Sequence, residues 1–190
     1  MADKIIEDQA FEKLDYSERK LEIAEYDNCT FNRCNFLNSD LSQSVFIECT
    51  FNDCDLSMTH LKNTAIKDVA FKNCKLLGLD FSLCNQFLLI LSFENCNLNL
   101  ASFSQLKIKT TKFKNCSLHE VDFTETELTS SIFENCDFQR AIFSNTKLER
   151  SDLRTSYNYS IDPELNRIKK AKFSINGAVG LLDKYDILIE

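Results

Sequence analysis

Tryptophan is absent from this chain, and its 190 residues include only three glycines and one proline. That scarcity excludes glycine-rich phosphate loops, and the sequence holds no G-x-x-x-x-G-K-[ST], G-x-S-x-G or H-E-x-x-H motif. Long apolar runs are missing too. The longest aliphatic stretch, Phe87 to Leu91, is far too short to span a bilayer. The first residues show no basic start followed by an apolar run, so a cytoplasmic protein without membrane attachment is expected. Histidine is limited to His60 and His119, both read as solvated surface residues, since a catalytic base wants a nearby nucleophile and an orienting acid. Positive charge is in deficit, at a net −7, so counterion release from nucleic acid is not the expected driving force.

What is abundant is phenylalanine, 16 residues of it, and its spacing decides the fold. A large apolar residue falls at every fifth position from Phe31 through Phe36, Leu41, Phe46 and onward to Phe81. After a two-residue excess the spacing is expected to resume at Leu88 and run through Phe93, Leu98 and Phe103 to Leu153. All 25 of these centres are Phe, Leu or Ile, and two residues before each lies a position that is usually Cys, Ser, Thr, Ala or Val. Neither a helix nor a flat strand has a period of five. A chain that turns a corner every five residues does, with the centre and the small residue inside and three residues outside.

A longer period lies over the first. FNRCNF, FNDCDL, FKNCKL, FENCNL, FKNCSL and FENCDF begin 20 residues apart, except for 22 between the third and fourth. Four sides therefore make one coil. Phe31, Phe51, Phe71, Phe93, Phe113 and Phe133 are expected to stack as one interior column. Cys34, Cys54, Cys74, Cys96, Cys116 and Cys136 should form another, which reads the odd total of nine cysteines as buried small hydrophobes. On the outside, Glu94, Lys114, Glu134 and Arg154 share a column of alternating sign, as do Lys107, Glu127 and Lys147. Arg140 is placed over Glu120, and both histidines face solvent. These readings give no catalytic residue, cofactor or metal ligand.

Three regions follow: a degenerate N-terminal capping coil over 1–28, repeat coils over 29–153 with a two-residue bulge at 82–87, and a C-terminal cap over 154–190. Beside the bulge, Phe87, Leu89 and Ile90 could form an apolar contact patch or pack locally to fill the corner. In the cap, Asp162 and Pro163 read as the start of a helix through ELNRIKK. Phe173, with Ala171 two before it, returns to the coil phase; GAVGLLDKY suggests a second helix and DILIE a terminal strand.

The small residue, central Leu or Phe and polar remainder resemble the pentapeptide-repeat family, over roughly residues 29–153. That resemblance implies an all-β solenoid, a right-handed quadrilateral β-helix. The Cys- and Phe-rich units and the ending LLDKYDILIE are most similar to the Qnr-type branch. The branch implies a homodimer through the C-terminus, with Leu181, Leu182, Tyr185, Ile187 and Ile189 in the seam. It also implies protection of a type II DNA topoisomerase from quinolones by DNA mimicry. A rigid scaffold for some other protein partner is the alternative.

Overall fold

The computed structural model describes residues 4–188. The chain winds as a parallel β solenoid with four sides to each coil and almost no helix. Strands β1 (Ile5–Glu7), β3 (Glu25–Asp27), β5 (Val45–Ile47) and β7 (Ala65–Lys67) stack into a four-stranded sheet on one wall. Strands β2 (Ala10–Glu12), β4 (Thr30–Asn32), β6 (Thr50–Asn52), β8 (Val69–Lys72), β9 (Leu91–Glu94), β10 (Lys112–Lys114) and β11 (Ile132–Glu134) form a seven-stranded sheet on the next. Single parallel bridges such as Asn35↔Asp55 and Ser102↔Asp122 carry the other two walls at the same 20-residue offset.

Corners are made almost without glycine, Gly78 being the exception at φ 64°. At nearly every fifth position a non-glycine residue sits at positive φ, as at Arg33 (53°), Asn38 (55°), Gln43 (67°) and Glu48 (51°). This left-handed conformation costs about 1–3 kcal/mol for an ordinary residue unless its surroundings fix it. Here each corner is held by the coil above, for example by Arg33 N–H donating to Asn32's stacked counterpart, the Asn52 carbonyl, at 2.9 Å. Asparagine tolerates the conformation best and adds an amide ladder, with Asn95, Asn115 and Asn135 each donating to the asparagine one coil back.

Inside, the expected phenylalanine column is present and longer than the repeat predicts. Phe11, Phe31 and Phe51 stack at 4.7 Å with rings 9° apart, and the stack continues through Phe71, Phe93 and Phe113 to Phe133. Phe81, Phe103, Phe123 and Phe143 make a second stack on the opposite side. The two meet edge to face, as at Phe93 and Phe103, 5.8 Å apart at 80°. The N-terminal coil carries the columns onward, with Tyr16 stacked on Phe36 at 4.7 Å.

The small inward position can also donate a hydrogen bond. Cys54, Cys74 and Cys96 each donate a thiol hydrogen to a phenylalanine carbonyl of the previous coil at 3.3 Å. Thr126 and Thr146 do the same with hydroxyls at 2.8 and 2.7 Å. Thiol and hydroxyl side chains thus fit a slot that is narrow and faces an inward carbonyl, which explains why Cys, Ser and Thr alternate there.

Two sequence expectations need correction. Leu88 is not a centre: it is 59% exposed at a left-handed corner. Asn85 still pairs with Ala65 at offset 20, while Leu91 pairs with Val69 at offset 22, so the extra residues lie within 86–90. The old phase persists through Leu89, which fills a small slot, and Leu91, which fills the next one in the new phase. Phe81–Leu83 forms a 3-10 turn that relaxes the corner just before. The expected helix through ELNRIKK is likewise absent. Asp162 Oδ1 does accept from Glu164 N–H at 2.8 Å, but only one turn follows. Asn166 then turns inward, donates to the Phe143 carbonyl at 3.1 Å and accepts from Thr146 N–H at 2.9 Å. Coil register overrides the helix signal.

Candidate interaction surfaces

Stacked rings fill the core, and the larger depressions among the described residues lie on the outer walls and at the C-terminal end, as beside Gln139, Asn158 and Ser174. The nine cysteines are reduced and buried. Desolvation pushes the thiols of Cys49 and Cys84 up to about 12, which keeps them protonated and poorly nucleophilic. No cluster of three or more His, Cys, Asp or Glu side chains among the described residues has the geometry to hold a metal ion.

The histidines and acids form surface pairs. His119 Nε2 lies 2.9 Å from an Asp137 carboxylate oxygen. Burial alone would raise the Asp137 carboxyl, but hydrogen bonds from His119, Asn158 and the Gln139 N–H outweigh it and hold the group below its usual range. Arg140 pairs with Glu120, and Lys114 with Glu94 at 2.8 Å, as the column spacing implies. Among the described residues Glu127 pairs with Lys109 at 3.1 Å, two residues beyond Lys107 on the preceding coil, and with neither Lys107 nor Lys147. Such exposed pairs contribute only about 0–1 kcal/mol each.

The insertion does build an apolar ridge, with Phe87 69%, Leu88 59% and Ile90 54% exposed. Leu89, expected beside them, points into the core at 7%. Asn85 shapes the ridge by accepting the Phe87 N–H on its side-chain oxygen at 2.9 Å. Next to it runs a shallow groove of about 500 Å³ bordered by Val45, Ala65 and Asn85.

At the C-terminal end two short 3-10 turns, Gly177–Leu181 and Asp183–Tyr185, replace the expected second helix. They cover the last coil because two glycines permit close approach: a Cβ on Gly180 would sit 2.0 Å from the Tyr159 carbonyl oxygen, and one on Gly177 1.9 Å from the Tyr159 hydroxyl. Ile161 N–H donates to the Gly180 carbonyl at 2.9 Å. Lys184 ties the segment down, 2.9 Å from Asp162 and 2.7 Å from Glu164. Of the expected seam, Leu181 packs against the chain's own core, whereas Leu182, Tyr185 and Ile187 are exposed. Residues 186–188 form no strand, and Ile189 lies outside the described residues.

The molecule is therefore a four-sided β-helical solenoid with its aromatic rings inside and its charged side chains on the outer walls. The chain belongs to the pentapeptide-repeat family: the family model described as a pentapeptide repeat region matches residues 24–86 and 91–157, more than half of the chain. The break between the two matches falls on the insertion. No curated protein matches the sequence. Among solved structures, a trypsin-treated variant of QnrB1, a plasmid-mediated fluoroquinolone resistance protein, is similar over 100% of both chains with a TM-score of 0.62 and 19% identity. Full-length QnrB1 is similar over 96% of this chain and 100% of its own, with a TM-score of 0.57 and 20% identity. At this identity the likeness establishes the shared fold. No helix among the described residues is long and apolar enough to cross a membrane.

Proposed function

We propose that this chain is a non-enzymatic, cytoplasmic interaction protein that binds a type II DNA topoisomerase and shields it from quinolones. The observation that carries this reading is the end-to-end similarity to QnrB1, a fluoroquinolone resistance protein, which includes the capped C-terminal coil as well as the repeats. The net charge of −7 fits a protein that takes the place of DNA on its partner instead of binding DNA. Two copies join through the C-terminal segment, where Leu182, Tyr185 and Ile187 offer exposed apolar surface. Leu181 supports that surface from beneath.

Supercoiling by DNA gyrase in the presence of a fluoroquinolone tests the reading. Added at micromolar concentration, the protein is expected to restore supercoiling. Failure to restore it at tenfold excess over the enzyme, with topoisomerase IV behaving alike, would leave the alternative, a rigid scaffold for a different protein.

A further inference from the structure

The wall that begins with β1, β3, β5 and β7 continues past the insertion through the bridged rungs at Lys107, Glu127, Lys147 and Arg167. It therefore has nine rungs, and the apolar ridge of Phe87, Leu88 and Ile90 occupies the fifth. The charges on either side are opposite. Rungs one to four present Glu7, Asp8, Glu25, Asp27, Glu48 and Asp68 against a single Lys67. Rungs six to nine present Lys107 and Lys109, then Lys147 and Arg150, then Arg167, Lys169 and Lys170, against Glu127 and Glu149. One half is thus net −5 and the other net +5. Among the described residues only Lys109 and Glu127 of this set are joined in an ion pair, although elsewhere stacked charges pair along their columns.

We infer that this wall is an interface with a second copy of the chain, laid face to face and antiparallel about a two-fold axis through the ridge. An isologous contact of that kind places rung one on rung nine, two on eight, three on seven and four on six. Glu7 and Asp8 then meet Arg167, Lys169 and Lys170, while Glu25 and Asp27 meet Lys147 and Arg150, whose two charges outweigh Glu149 between them. Asp68 meets Lys107. Glu48 meets the rung of Glu127, whose charge Lys109 already neutralises. On the axis the two ridges lie side by side, each Phe87 beside the other copy's groove at Val45 and Ala65. A parallel arrangement would set acid on acid and base on base.

With rungs about 4.8 Å apart the wall is about 40 Å long and one strand wide, a footprint on the order of 400–500 Å² per copy. That is near the lower limit for specific association, so the pair is weak and sensitive to salt. The contact is separate from the C-terminal seam, and neither requires the other.

The test uses the full chain with Phe87→Cys, since the native thiols are buried. Under mild oxidation at low salt the variant is expected to form a disulfide-linked dimer, reduced about fivefold at 0.5 M salt. A Ser104→Cys control on another wall should remain unlinked. Adding Glu25→Lys with Asp27→Lys, or Lys147→Glu with Arg150→Glu, should abolish linking of each variant alone. Mixing the two sets should restore it, because both contacts of the mixed pair are then attractive. Linking no greater than in the Ser104→Cys control, or no recovery on mixing, would overturn the inference. A dimer seen by light scattering with Phe87→Cys unlinked would assign association to the C-terminal seam alone.

Discussion

Phe113→Ala removes a ring from the centre of the longest stack. Phe113 is fully buried, lies between Phe93 at 5.0 Å and Phe133 at 4.9 Å, and meets Phe103 edge-on at 5.8 Å. Lost burial contributes about 2–3 kcal/mol. Two stacked contacts, at about 0.5–1.5 kcal/mol each, and the cavity between rigid coils add to that. Because the neighbouring coils are held by backbone bonds such as Asn115 N–H to the Glu134 carbonyl, 2.7 Å, they cannot collapse into the space. A loss of about 4–5 kcal/mol is expected, at the upper end for a phenylalanine truncation. Urea unfolding followed by far-ultraviolet circular dichroism measures it, with Phe113→Leu as a companion that keeps a side chain used at other centres, gives up the ring stacking and loses about 1–3 kcal/mol. A loss below about 1 kcal/mol for the alanine variant would refute the interlocked-ring account of the core.

Thr126→Val keeps the shape of the small slot but removes the hydroxyl bonded to the Phe103 carbonyl at 2.8 Å. The carbonyl retains only the Leu106 N–H, so a loss of about 1–2 kcal/mol in urea is expected, and an unchanged midpoint would contradict a stabilising role for this hydroxyl. The C-terminal cap should respond to acid. Hydrogen bonds from Lys184 lower the carboxyls of Asp162 and Glu164 below their usual values, so the tether is fully present above about pH 4–5 and is lost as pH falls through the lowered values. The Tyr185 ring resonances should therefore shift between pH 5 and pH 2 while those of Phe113 hold; a pH-independent Tyr185 would argue against the tether.

The sequence made the coil legible because the period of five assigns each side chain to the interior or a wall. Phe31 and its successors could be placed by counting alone. Leu88 could not, because counting from Phe93 backwards and from Phe81 forwards both give a tolerable phase for a leucine. Only the backbone pairing of Asn85 and Leu91 shows which phase persists. At Asp162 the local capping signal was genuine, yet an isolated turn contributes little against the two hydrogen bonds Asn166 gains by entering the stack. The second phenylalanine stack was present among the centres but hidden until the walls were numbered through the insertion. The same is true of the polarised wall. Comparing charges one coil apart finds Lys109 with Glu127 and Lys114 with Glu94, but it does not reveal that one whole side changes sign across residue 87.

The five-residue register sends all nine cysteines inward, where neighbouring coils shield their thiols from solution. Reaction of the folded, reduced protein with a chromogenic disulfide reagent at neutral pH tests it directly. None of the nine thiols should react until urea unfolds the chain, when all nine should react together. One or more equivalents reacting rapidly in the folded state would contradict the register.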